Sequence, residues 1–122
     1  GVKRPSSPSI QIWKFGPDQY IHVGVRITGC ILTGALTIAG LTAAFGTCDI
    51  PAVLDQIKIN APVLVPLLKA SIVAPLAYHG LGGARQLFQD FTAKGYDHEF
   101  QEKTSYAIAG AAAIAGIYAA AI

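Results

Sequence analysis

Between Ile27 and Thr47 the chain runs without a single charged residue, and this is the feature that most limits what it can fold into. As a helix rising 1.5 Å per residue the stretch would be roughly 31 Å long, enough to cross a hydrocarbon core of about 30 Å. Two further runs repeat the signal. One begins near Asn60 and stays apolar to Ala84 apart from Lys69, and the other, Thr104 to Ile122, is uncharged. Pro62, Pro66 and Pro75 punctuate the middle run; a bundle can satisfy the backbone groups that proline frees, so they point to kinks rather than to the loss of a helix. Only 13% of the residues are charged and 52% are hydrophobic, whereas the surface of a soluble domain needs about a quarter charged. The expectation is an all-α membrane protein with three transmembrane helices, forming part of a heteromeric helix bundle. Residues 1–26 would form an amino-terminal segment and residues 27–122 the anchor domain.

The short loops divide their basic residues unevenly. Lys3, Arg4, Lys14 and Arg26 precede the first helix, and Arg85, Lys94 and Lys103 stand between the second and third, while the link between the first and second holds only Lys58. This places the amino terminus on the cytoplasmic or mitochondrial matrix side and the carboxyl end opposite. The tract from Lys94 to Lys103 reads as a solvated connector in which His98 is no ligand candidate, and Lys69 as paired or snorkelling toward the outer face. A net charge of +2 without a basic, aromatic-interleaved stripe gives no sign of nucleic-acid binding. The chain contains no methionine, which fits a processed end such as that left by a removed mitochondrial targeting sequence. Cys30 and Cys48, read as lying on one helix about 27 Å apart, cannot pair with each other and make no zinc site.

Small residues recur every four positions at Ala112, Gly116 and Ala120 in the third helix and at Gly29, Thr33 and Thr37 in the first, a pattern that lets a neighbouring backbone approach. In the second helix His79, Gly82, Gly83, Gln86 and Asp90 share one face. With Asp90 at the inner interface, His79 lies about 16 Å further in, close to half depth. An imidazole there costs several kcal/mol unless something binds it. Three roles are open to it: an axial ligand to haem iron, an interhelical hydrogen bond, or a place on a proton or ion path. Gly82 and Gly83 leave a slot that a flat macrocycle or another helix could enter. A second haem ligand would have to come from another chain, because neither His22 nor His98 is placed for it.

A second constellation, His22-Val-Gly-Val-Arg26-Ile-Thr-Gly29, stands at the entrance to the first helix. Arg26 either snorkels to lipid headgroups or donates to a carbonyl oxygen or an anionic propionate at the membrane surface. His22, one turn earlier, adds a titratable group.

Three blocks in order resemble the large cytochrome b anchor subunit of succinate dehydrogenase, respiratory complex II. Arg4-Pro-Ser-Ser-Pro8-Ser-Ile-Gln-Ile-Trp13 is similar to the family's RP-x-SPH-x-x-IY opening. Arg26-x-Thr28-Gly29 is similar to the latter half of S-x-x-HR-x-TG, and His79-x-x-x-Gly83-x-Arg85-x-x-x-x-Asp90 to H-x-x-x-G-x-RH-x-x-x-D. Each motif alone is modest, but their order and spacing, with three spanning helices, cover essentially the whole chain.

The resemblance implies a subunit of the mitochondrial inner membrane, amino terminus in the matrix, that holds the flavoprotein and iron–sulfur subunits to the phospholipid membrane. With a second small membrane-anchor subunit it would form the ubiquinone pocket and the haem b site, FAD and the iron–sulfur clusters belonging to the partner subunits only. It makes this chain a non-catalytic part of a succinate:quinone oxidoreductase. By this resemblance His79 is the haem axial ligand, Arg26 serves the quinone and haem propionates, and Arg85 matches the arginine at the matrix end of the second helix. His22, Val23, Ile10 and Phe15 fall in the quinone region, the last two as pocket wall. The chain also departs from the pattern. His22 replaces a serine, while Val25, Gln86 and Ser9 replace histidines. The alternatives are a fumarate reductase anchor using a low-potential quinone, and a non-redox three-helix subunit in which His79 only makes a hydrogen bond.

Overall fold

A computed structural model describes residues 1, 3, 5, 6, 9, 12 and 14–122. The elements run α1 (Pro17–Phe45), α2 (Ile50–Asn60), α3 (Leu64–Thr92) and α4 (His98–Ala121), and no strand occurs among the described residues. Helices α1, α3 and α4 are each long and apolar enough to cross a membrane. The expected three spans are present, and α2 is an additional short helix between the first two.

The helix boundaries show local chemistry extending beyond the apolar runs. Helix α1 starts at Pro17, not at the first uncharged stretch, because Gly16-Pro17-Asp18 is a good helix start. Proline sits where its missing N–H is not needed, Asp18 faces the positive end of the helix dipole, and the Gly16 N–H donates to Gln19 Oε1 at 2.5 Å. His22, Val23 and Arg26 therefore lie on α1 rather than ahead of it, and the expected 26/27 boundary falls inside a helix. At its other end Gly46 adopts φ 61°, a left-handed conformation that costs glycine little, and the Thr47 N–H closes on the Thr42 carbonyl at 3.2 Å. Cys48 consequently lies past the end of α1, not on it as the sequence suggested, and both cysteines are free and exposed.

Helix α2 is capped by the Asp49 carboxylate, which accepts from the Ala52 N–H at 3.2 Å. Helix α3 passes unbroken through Pro75, while Pro62 falls in the turn that precedes it. The connector predicted to reach Lys103 is much shorter. Asp97 caps α4 by accepting from the Phe100 N–H at 2.9 Å, so His98 to Lys103 form its first turns, tied on the surface by Lys103 and Glu99.

Helices α3 and α4 share the most extensive contact, and α1 packs mainly on α3. The stripe predicted on the last helix is the α3–α4 seam: Ala112 and Gly116 are buried, and a Cβ placed on Gly116 would stand 2.8 Å from the Ala74 Cβ. The stripe on the first helix behaves differently, because only Gly29 faces a neighbour while Thr33 and Thr37 are exposed. Between these seams the buried core is small and partly polar. Ile21, Ile108 and Ala112 are joined by Arg85, Gln89, Gln101 and Ser105, and long aliphatic side chains such as Leu36, Ile38 and Ile117 point outward. In lipid an outward leucine incurs no penalty, so close backbone approach and internal hydrogen bonds hold the bundle together. Gly116→Val should cost about 1–3 kcal/mol by overpacking against Ala74. It would be read as a lower melting temperature in detergent, with Gly110→Ala, at a position open to space, showing no loss.

Candidate functional site at the α1–α3 crossing

His79 is the centre of the α1–α3 contact. Its Nδ1 lies 2.9 Å from the Val25 carbonyl oxygen across the crossing. A carbonyl can only accept, so Nδ1 carries the proton and donates, and in the neutral ring the lone pair is then on Nε2. The ring fits because Gly29 has no side chain: a Cβ there would come within 2.9 Å of His79 Cε1 and 3.3 Å of Nδ1. Helix α1 is pulled close on either side of this bond by two more glycines. The Val25 side chain rests on Gly82, and the Tyr78 ring rests on Gly24, its hydroxyl donating to the Tyr20 carbonyl at 3.3 Å. Of the slot predicted at Gly82 and Gly83, the Gly82 half is filled by α1 itself, while a Cβ placed on Gly83 would meet no neighbouring element within 4 Å. Helix α1 keeps its own bonds through this crossing, with Thr28 Oγ1 donating to the carbonyls of Gly24 (2.8 Å) and Val25 (3.1 Å).

Immediately beyond Val25 lies a cavity of about 350 Å³ walled by Ile21, His22, Val25, Arg26, Gly82, Arg85 and Gln86. Three residues singled out in sequence, His22, Arg26 and Arg85, thus meet in one place, next to the carbonyl that anchors His79. They differ in freedom. His22 and Arg26 are exposed on α1, whereas Arg85 is only 8% exposed. The Arg85 Nη1 donates to Ser105 Oγ (3.0 Å), Thr104 Oγ1 (3.2 Å) and the Gln101 carbonyl (3.4 Å), all on α4. Its Nε is buried without a partner, so the fork keeps a spare donor. Gln86, where the resemblance has a histidine, donates instead to Asp90 Oδ1 at 3.1 Å.

Phe15 does not join this group. It lines a second cavity of about 490 Å³ on the other side of Ile21, with Pro17, Tyr20, Tyr78, Glu102, Ser105, Tyr106 and Ala109, its ring 5.6 Å from that of Tyr20. Val23 is 46% exposed and lines neither cavity, and Ile10 lies outside the described residues, as do Arg4 and Trp13 of the opening block. Sequence reasoning missed Tyr78 and the Val25 carbonyl. The first carries no motif, and the second is a backbone atom with no signature in sequence. Among the described residues no cluster of three or more His, Cys, Asp or Glu could hold a bare metal ion. A single imidazole could instead hold a metal that brings most of its other ligands with it.

The fold and this crossing define a class: a three-span helical membrane subunit with one tautomer-fixed intramembrane histidine beside an arginine-lined cavity. The chain belongs to the succinate dehydrogenase/fumarate reductase transmembrane subunit family, which it matches over residues 2–119. It is similar to the mitochondrial succinate dehydrogenase cytochrome b560 subunits of Dictyostelium discoideum (32% identity, covering 75% of this chain and 48% of the relative) and Sus scrofa (32%, covering 74% and 54%). It also resembles that of Caenorhabditis briggsae, at 31% over 93% of this chain and 62% of the relative. The chain thus spans about half the length of most of these relatives.

Arg85→Gln should loosen the α3–α4 seam by about 1–3 kcal/mol, the range for losing hydrogen bonds from a charged donor, seen as a lower detergent melting temperature. Arg85→Lys should recover only part of this, since one ammonium cannot reproduce the planar fork. The hydroxyls of Thr104 and Ser105 stay bonded to α4 carbonyls in either variant, so the loss reports the guanidinium itself.

Proposed function

We propose that this chain is the cytochrome b membrane-anchor subunit of succinate dehydrogenase, helping to form a ubiquinone-reduction site and carrying one side of a haem b site. The observation that supports it most directly is the His79 Nδ1 to Val25 carbonyl bond, which leaves Nε2 free to ligate. Haem bound there would supply one-electron redox chemistry. His79 would hold its iron from this chain, and the small anchor subunit of the complex would supply the other protein ligand. The names of the relatives favour succinate oxidation over fumarate reduction as the physiological direction.

Each residue at the crossing has a separate task in this reading. Val25, through its carbonyl, keeps the imidazole in one tautomer and one orientation. Arg26, exposed at the cavity wall, donates to a quinone carbonyl oxygen or a haem propionate, a task suited to a permanently charged, planar donor. His22, on the same wall, holds or releases a proton at a ring nitrogen toward the quinone, replacing the hydroxyl expected from the resemblance. Arg85, held on α4 by Nη1, keeps the wall rigid and offers its spare Nε–H to an anionic group. Phe15, across Ile21, and Val23, exposed on α1, would contribute apolar surface near the quinone's approach. FAD and the iron–sulfur clusters belong to the flavoprotein and iron–sulfur partners, and this chain makes and breaks no substrate bond. In this reading the assembly sits in the mitochondrial inner membrane with the amino terminus, His22 and Arg26 on the matrix side, an orientation that the division of basic residues between the loops favours. The segment 1–26 would then serve as the matrix-side portion and 27–122 as the membrane anchor.

A reduced-minus-oxidised visible spectrum of the gently solubilised complex should show a b-type band that His79→Ala abolishes; a parent complex without the band would overturn the haem assignment. Arg26→Ala should depress succinate-driven quinone reduction roughly tenfold or more, through loss of a charge-assisted donor, while leaving succinate oxidation with a soluble dye intact. Equal loss of both activities would indicate failed assembly rather than a role at the quinone.

A further inference from the structure

The face that α1 turns toward the cavity at His22 and Arg26 carries one more ionisable group. Viewed down the helix axis, Asp18 falls between Val25 and Gly29, four residues before His22 and eight before Arg26. Val25 and Gly29 are the positions that meet His79 at the α1–α3 crossing, so Asp18 is turned to the same side, nearer the start of the helix. Its side chain is part-buried and forms no ion pair or hydrogen bond among the described residues. Its charge nevertheless acts on the Arg85 guanidinium of the facing helix. We infer that Asp18 supplies the proton that His22 passes to a quinone at this wall.

The inference rests on the quinone reading of the cavity and adds the step that reading needs. A quinone becomes a quinol by taking two electrons, here from the iron–sulfur partner, and two protons. His22 can give one of them: an imidazolium N–H bond breaks, an O–H bond forms at the carbonyl oxygen, and the ring is left neutral. The other oxygen takes its proton from water. Before the next turnover the ring must recover its proton beside Arg26 and Arg85, two permanent cations that line the same cavity. Both oppose a third positive charge, and Asp18 is the carboxylate on that face which offsets them. Once protonated from the solvent, its O–H bond breaks as a ring N–H bond forms, and the resulting carboxylate and imidazolium attract each other.

The helix gives Asp18 access to both ends of this route. Residues four apart are neighbours on a helix surface, and helical side chains lean toward the amino-terminal turn, so the His22 ring covers the turn that holds Asp18. Asp18 Oδ1 in turn leans back over Gly16, where a Cβ would stand 2.8 Å from it, toward the start of the helix. Other acids are worse placed. Asp90 of α3 accepts from Gln86, and no α4 residue lines this cavity. Glu102 of α4 lies with Tyr78 on the cavity beyond Ile21.

The test compares the pH profile of succinate-driven quinone reduction by the assembled complex with succinate oxidation by a soluble dye. Asp18→Asn keeps the size of the side chain and removes its acid. It should lower quinone reduction roughly tenfold at about pH 8.5 but less than about twofold at about pH 6, where solvent protons reach His22 directly. Dye reduction should be unchanged. Asp18→Glu should restore most of the alkaline rate, and Asp18→Asn combined with His22→Gln should lose no more than His22→Gln alone, because the two groups act in one step. A loss that is the same at every pH would show a role in helix stability alone and overturn the inference. An equal alkaline loss in Glu102→Gln would also overturn it, by revealing a general effect of negative charge. If His22→Gln keeps the parent rate while Arg26→Ala loses it, the relay fails and the quinone site stands; if both variants keep it, the quinone reading fails as well.

Discussion

A polar ring placed on a hydrocarbon-length helix must find its partner inside the protein, and the structure depends on how His79 does so. The partner is a backbone carbonyl of α1, and reaching it requires α1 and α3 to cross at a distance that ordinary side chains would forbid. Gly24, Gly29 and Gly82 remove the obstruction at successive points of the crossing. The geometry of the crossing then sets the rest. It turns Val25 onto α3, opens the arginine-lined cavity beside it, and leaves one imidazole nitrogen uncommitted. A hydrogen bond and a ligand site, which looked like alternatives for His79, are compatible because they use different nitrogens.

The second seam is organised by charge rather than by a ring. Arg85 is buried without a carboxylate partner and instead spends three contacts on two hydroxyls and a carbonyl of α4. Such neutral acceptors hold a guanidinium without fixing it in an ion pair, so its positive charge stands at the wall of the cavity. The positive end of the cavity thus belongs to the fold: removing Arg85 weakens both the helix packing and the electrostatics of the site. Arg26, exposed on the facing wall, carries no such structural burden and is free to respond to a bound molecule.

The proposed haem and quinone roles concentrate toward one end of the molecule. The broad aliphatic surface beyond it, including Leu36, Ile38 and Ile114, is exposed in the isolated chain. In a bilayer this surface meets lipid or other helices without penalty. A three-helix chain with so little buried apolar area has its polar contacts inside and its apolar surface outside, as a bundle subunit requires.

The three spans, their order and the small-residue seam at Ala112 and Gly116 were legible in the sequence, because hydrocarbon thickness imposes a length and a lack of charge that composition displays directly. His79 stood out as a polar residue within such a run, and Arg26 and Arg85 as the charges that bound two of the runs. Other features depended on the fold. The start of α1 at Pro17 and the shortening of the connector at Asp97 arise from capping bonds that a hydropathy pattern does not register. The separation of Phe15 from His22 by the single side chain of Ile21 is a matter of which way a helix face turns. The tautomer of His79 was decided by a backbone carbonyl on another helix. Sequence lists side chains and their spacing along one axis, whereas a ligand's lone pair is aimed by atoms that become neighbours only when two helices cross.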